Sequence, residues 1–143
     1  MAIYSLAQRT IVTSAAAATW EIRTAATIRS QILEIGFSQV TAVAATIGLG
    51  RPQAIGVSPT SPQTFIAEDP GEPAGNTVAC VAWASTVPTV PLNFFRRVTC
   101  PATIGAGVIW TFPRGLFIQV SFSLVLWVLA TAPVLDAWAV ENE

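Results

Sequence analysis

The sequence predicts an all-β fold of many short strands, of the sandwich or barrel type. Proline and glycine recur at short intervals after residue 47 and divide the chain into short runs. Those runs are rich in Val, Ile, Thr, Phe and Trp, the residues that strands favour. A length of 143 residues suits one domain with one core. We therefore expect a single β domain over residues 1–143.

The N-terminal part of the chain contains four candidate strands. They are residues 9–13, 19–24, 30–38 and 46–49. The third places Leu33, Ile35 and Phe37 on one face, with Ile32 and Glu34 on the other, because successive side chains in a strand point to opposite faces. This alternation predicts one buried face.

Two alternatives stay open in this region. Residues 14–37 are rich in alanine, and Ile28, Ile32 and Ile35 follow helical spacing, which is typical of an amphipathic helix. The β-branched residues favour strands instead, with a helical turn allowed in the alanine run. Residues 1–18 could also form an extended arm.

The rest of the chain contains seven more candidate strands. They are residues 63–67, 78–84, 94–100, 108–112, 116–120, 123–129 and 134–140. In the third of these, Phe94, Arg96 and Val98 share a face. Residues 50–75 and 85–93 are rich in proline, so we expect two extended, ordered loops there.

The charged residues are few and unusual. They make up 10% of the chain, against about a quarter in an average soluble domain. All seven basic residues are arginines, which suit interfaces because the planar guanidinium makes two hydrogen bonds at once; lysine is the residue that interfaces deplete. The composition favours a subunit of an assembly, although arginine replaces lysine in GC-rich genomes too.

Charge and hydropathy also bear on membranes and nucleic acids. Residues 115–135 carry no charge, and this segment is as long as a membrane helix. Polar residues interrupt this segment and its centre has β character, so we expect no membrane span. The net charge is −1 and Arg96–Arg97 is the longest basic run, so we expect no nucleic-acid partner either.

The sequence predicts that the protein is not an enzyme and holds no cofactor or metal. It has no histidine or lysine, the residues of most general bases, Schiff bases and phosphate loops. Cys80 and Cys100 match no metal spacing, and we expect two buried free thiols rather than a disulfide. Glu68, Asp69 and Glu72 could bind Ca²⁺, but a solvated acidic turn is the preferred interpretation.

Six residues are candidate contacts to other subunits. They are Arg51, Arg96, Arg97, Arg114, Trp110 and Asp136. The arginines are chosen for their chemistry and their apolar or turn setting. Asp136 interrupts an apolar face near Trp138 and marks either an edge or a buried, paired charge. The five tryptophans are expected in the core rather than on a sugar-binding surface.

Three segments resemble parts of small proteins encoded beside the capsid genes of tailed phages. They are residues 47–52 (IGLGRP), 102–115 (ATIGAGVIWTFPRG) and 123–127 (SLVLW). Through these segments the chain resembles the head decoration proteins, also called cement proteins, of such phages. The final third also resembles the closing strands of a jelly roll, with a Pro-Gly turn, an apolar strand and an alternating last strand.

The resemblance implies an antiparallel, jelly-roll-like β-sandwich that forms a homotrimer. Such a protein would assemble in the host cytoplasm, lie on the virion surface, bind the major capsid protein and stabilise contacts between capsid subunits. The alternative is a receptor- or glycan-binding head domain of a tail fibre or spike. The resemblance brings no catalytic residues with it.

Overall fold

The computed structural model describes residues 2–11 and 14–143, and these residues form thirteen β-strands and no helix. The strands are β1 (Ile3–Arg9), β2 (Ala17–Arg23), β3 (Ser30–Gln39), β4 (Ala45–Pro52), β5 (Val57–Pro59), β6 (Gln63–Thr64), β7 (Ile66–Ala67), β8 (Val78–Cys80), β9 (Trp83–Thr86), β10 (Pro91–Cys100), β11 (Gly107–Ile118), β12 (Ser123–Val128) and β13 (Leu135–Asn142). The all-β prediction is confirmed. The helical alternative for residues 14–37 is wrong, because that segment contains β2 and β3.

Two antiparallel sheets form the sandwich. The first has the strand order β11-β3-β13-β1-β7 and the second the order β10-β4-β12-β2-β8-β6. β5 and β9 form a separate two-stranded ribbon. Along the chain the long strands alternate between the two sheets, with one exception. β4 and the next long strand, β10, both belong to the second sheet. β10 is an edge strand of the second sheet and β11 is an edge strand of the first.

The core lies between the sheets and takes large side chains from both. The first sheet contributes Ile32, Ile35, Phe37 and Leu135, and the second contributes Trp20, Ile22, Ile47, Leu49, Leu124 and Leu126. Burying one such side chain contributes about 1.5–3 kcal/mol. A smaller cluster of Ala18, Val125 and Trp127 lies on the outer face of the second sheet, under Trp83 and Phe94. Cys80 and Cys100 are free and buried, as predicted.

A β-bulge changes the faces of β3. Val140 lies opposite Glu34, and the next residue, Glu141, lies opposite Ile32, so Leu33 has no partner on β13. Ile32 and Ile35 are consequently both fully buried while Leu33 is half-buried. The prediction that Leu33 shares the core face of Ile35 is wrong, because one extra residue in a strand reverses the alternation beyond it.

A second bulge acts in the same way on β10. Phe94 lies opposite Gly50 and Arg96 lies opposite Leu49. Gly50 and Leu49 are consecutive and face opposite sides, so Phe94 and Arg96 do too. The predicted common face of these two residues is therefore wrong.

Several predicted boundaries also change. Residues 3–9 form β1, which pairs with β13 and with β7, so this part of the N-terminal segment belongs to a sheet and is not an arm. The sequence predicts a strand over residues 9–13, but β1 ends at Arg9. Val12 and Thr13 lie outside the described residues.

The proline-rich segments are less irregular than predicted. Residues 50–75 contain the end of β4 and all of β5, β6 and β7, and residues 85–93 contain the end of β9 and the start of β10. The strands β5, β6 and β7 are only two or three residues long, because proline interrupts longer pairing. Residues 115–135 form the end of β11 and β12 with their turns, and the described chain contains no helix that is long and apolar enough to cross a membrane.

Candidate functional site

Glu21 on β2 is fully buried and makes several polar contacts inside the molecule. Its carboxylate accepts hydrogen bonds from Trp83 Nε1 (2.7 Å), Ser123 Oγ (2.7 Å) and Gly56 N (3.1 Å). Arg23 Nη1 lies 3.8 Å from it. These bonds fasten the β5–β9 ribbon to the second sheet, so the role of this carboxylate is structural.

One end of the sandwich carries no charged side chain. Four connections meet there, and we call them together the uncharged end. They are residues 10–11 with 14–16, 40–44, 101–106 and 129–134. The register brings them together, since Arg9 lies opposite Asp136, Ala17 opposite Val128, and Ala45 opposite Cys100.

Hydrogen bonds hold these connections to one another. Thr10 N donates to Leu135 O at 2.8 Å, and Thr10 Oγ1 accepts a hydrogen bond from Leu135 N at 2.9 Å. Gln39 donates its backbone N–H to Ala106 O and accepts from Gly105 N, both at 2.8 Å. The uncharged end is thus a pre-formed surface rather than a set of independent loops, and docking on it would order few groups.

Isoleucine side chains project from the uncharged end. Ile104 is 69% exposed and Ile11 is 50% exposed. Ile104 is the second residue of a turn closed by Ala106 N donating to Thr103 O (3.1 Å). Gly105 has a φ of 84°, which glycine adopts without strain at the third position of a type II turn. Together with the absence of charge, these exposed isoleucines make the uncharged end a candidate interaction surface.

The nearest charges to this end neutralise each other. Arg9 makes a bidentate contact with Asp136, with Nε–Oδ1 at 2.7 Å and Nη2–Oδ2 at 2.9 Å. The hydrogen bond from Arg9 holds the pKa of Asp136 below its ordinary value. The prediction that Asp136 is a paired charge is therefore confirmed. The prediction that the pair is buried is wrong, because the Arg9 and Asp136 side chains are 62% and 46% exposed.

A second candidate surface runs along the edge strands β10 and β11. We call it the arginine–phenylalanine edge. It consists of Arg29, Arg51, Phe95, Arg96, Phe112 and Phe117. Guanidinium carbons lie over ring centroids at 5.3 Å (Arg29 on Phe117), 4.8 Å (Arg51 on Phe95) and 5.5 Å (Arg96 on Phe112). Arg51 Nη2 also donates to Phe117 O at 2.7 Å and so joins the two sheets.

This edge leaves its arginines available to a partner. Within residues 2–11 and 14–143, carboxylates lie within 4.0 Å of Arg9 and Arg23 and of no other arginine. A groove of ≈ 440 Å³ beside Arg51 is lined in part by Leu92 and Phe95, and Leu92 is 78% exposed. Cation–π stacking uses the guanidinium face and leaves its N–H groups free for carboxylates.

The structure separates the six predicted contact residues. Arg51 and Arg96 come together on the arginine–phenylalanine edge, while Arg97 stacks on Phe94 at 5.8 Å. Arg114 is exposed at an irregularity in β11. Trp110 packs edge-on against Phe37, with ring centroids 5.7 Å apart, and so belongs partly to the core.

The sequence prediction missed residues on both surfaces. Ile11 and Ile104 on the uncharged end, and Phe95 and Phe117 beside the arginines, were not among the predicted contact residues. Among the described residues, no group of three metal-ligating side chains comes together. Comparison of the chain with protein-family models, with curated proteins and with solved structures finds no match.

Proposed function

We propose that this chain is a virion structural protein that binds the outside of a tailed-phage capsid and stabilises contacts between major capsid subunits. The observation that carries the proposal is the uncharged end. A rigid surface of apolar and small polar side chains suits burial against a large protein partner, since the centres of interfaces are depleted in charge. The sequence resemblance to decoration proteins supplies the identity of that partner.

The strand order supports the same proposal. In an eight-stranded jelly roll, two four-stranded sheets are connected by two Greek keys. The order β1-β13-β3-β11 in one sheet and β2-β12-β4-β10 in the other fits such a connection. We infer a jelly roll from this order, and jelly rolls are frequent among viral capsid domains.

Many copies on one shell would make a modest contact effective. A ligand that binds only the assembled shell stabilises it by mass action, and copies that each bridge neighbouring capsid subunits gain from multivalency. Each contact therefore needs only the area of an ordinary interface, of the order of 800 Å² per partner.

Capsids that lack the protein provide the test. Purified protein is added, the bound fraction is measured by sedimentation, and the capsids are then heated. The expected result is binding and a higher shell melting temperature, both abolished by Ile104→Glu, which places a charge on the uncharged end. The matched control is Val120→Glu, since Val120 is 47% exposed in the turn between β11 and β12, at the opposite end of the sandwich. Equal binding by the two variants, or no binding by the unmodified protein, would contradict the proposal; binding to a glycan array would favour the head-domain alternative.

A further inference from the structure

The two lateral edges of the sandwich differ in charge. β10 and β11 end the sheets on one side, and β6 and β7 end them on the other. The first side carries the arginine–phenylalanine edge. The second side carries Ile66 on β7 and, directly after this strand, Glu68, Asp69 and Glu72. We call these four residues the acidic edge.

The acidic edge is open to solvent. Glu68, Asp69 and Glu72 are exposed, and no arginine of the described chain lies within 4.0 Å of their carboxylates. Glu68 N donates to Ile3 O at 2.9 Å, and Gly71 N donates to Asp69 Oδ1 at 2.9 Å, so the segment is held in place. The backbone of the segment and the Asp69 carboxylate are therefore fixed in position.

Both edges combine charge with an apolar centre. On the acidic edge Ile66 is 67% exposed, between grooves of ≈ 430 and ≈ 340 Å³. On the opposite side the groove of ≈ 440 Å³ has an apolar wall of Leu92 and Phe95 under the guanidinium of Arg51. An aliphatic side chain flanked by carboxylates thus complements an apolar groove flanked by arginines.

We propose that the acidic edge of one copy of this chain docks on the arginine–phenylalanine edge of a second copy. Ile66 of one copy enters the groove beside Phe95 of the next, and Glu68 and Asp69 pair with the arginines that stack on phenylalanine. The contact joins two different surfaces, so it is head-to-tail, and repetition closes into a ring or continues as a filament. The inference goes beyond the proposed function, because it concerns the isolated chain and does not require a capsid.

Charge reversal at each edge tests the docking. Arg51→Glu changes the arginine–phenylalanine edge and Asp69→Arg changes the acidic edge. The matched controls are Arg9→Glu and Asp136→Arg, which alter the net charge by the same amounts at exposed positions away from both edges. Circular dichroism establishes that each variant is folded, and sedimentation velocity over a range of concentrations gives the self-association constant.

The unmodified chain is expected to self-associate, and each edge variant to self-associate at least tenfold more weakly, because like charges then face each other. An equimolar mixture of the two edge variants is expected to recover association, since each supplies one intact edge and the two reversed charges are again complementary. A monomeric unmodified chain, or edge variants that behave like their controls, would overturn the proposal, as would a mixture that stays monomeric. Capsid binding depends on Ile104 at the uncharged end, so the two proposals fail separately.

Discussion

The stability of this protein should fall as the pH rises from about 4.5 to about 7, because of Glu141. This residue is on β13 and is fully buried. One oxygen of its carboxyl accepts a hydrogen bond from the Ser30 hydroxyl, while its Oε1 has no hydrogen-bond partner in the described chain. Burial raises the pKa of Glu141 to about 7; the Ser30 hydroxyl opposes this rise and the nearby Glu143 carboxylate adds to it.

The sign and the size of the effect follow from these values. The unfolded carboxyl has a pKa of 4.5 and the folded one about 7, so between these pH values the folded state holds a proton that the unfolded state has released. The favourable contribution is complete below pH 4.5 and is lost as the pH rises through about 7. At about 1.4 kcal/mol per pKa unit, the free energy of unfolding falls by about 3 kcal/mol over this window. Asp136, whose pKa is lowered from 3.8, changes the stability only at pH values below this window.

Urea unfolding followed by tryptophan fluorescence at several pH values between about 5 and 8 measures this slope. Glu141→Gln keeps the shape of the side chain but cannot ionise, so the unfolding free energy of this variant should be nearly independent of pH in that range. Glu68→Gln, at an exposed position, is the control and should retain the slope of the unmodified chain. A stability that rises from pH 5 to pH 8, or a Glu141→Gln variant with an unchanged slope, would refute the reasoning.

Two further predictions concern single side chains. Glu21→Ala should lower the free energy of unfolding by about 3 kcal/mol or more, since it leaves donors such as the Trp83 indole N–H without an acceptor. Asp136→Ala should lower it by at most about 1 kcal/mol, because the ion pair of Asp136 is exposed. Urea unfolding measures both losses, and losses of similar size would contradict this prediction. Burial raises the pKa of the Cys80 thiol to about 11, so Ellman's reagent should label it in unfolded protein far faster than in native protein, and rapid native labelling would count against the buried position.

The strands were predictable because each one carries its own pattern. β2, β12 and β13 lie within two residues of their predicted positions, since alternation and flanking turn residues are local properties. The faces of β3 and β10 were not predictable past their bulges. A bulge depends on what the partner strand offers at that point, and the residues around Leu33 and Phe95 carry no local signal of it.

The candidate surfaces were predictable only in part, because they are formed by residues that are distant in sequence. Six windows of more than ten residues carry no charge; they are residues 10–20, 35–50, 52–67, 73–95, 98–113 and 115–135. The last of them has the length of a membrane helix when considered alone. Only the strand order shows that four of the six, residues 10–20, 35–50, 98–113 and 115–135, supply connections at the same end of the sandwich, and no local sequence pattern encodes that order.

The positions of the charges also bear on why they are so few. A shift in genome composition would exchange lysine for arginine wherever lysine occurred, and it would leave carboxylates where they were. In this fold both signs are absent from the uncharged end, while Arg29, Arg51 and Arg96 lie on one lateral edge and Glu68, Asp69 and Glu72 lie on the other. A change in composition has no means of sorting residues by their position in space. Burial against partners does, because a charge is costly on a surface that loses its water and favourable where an opposite charge meets it. The spatial sorting of the charges therefore favours the assembly interpretation over compositional drift.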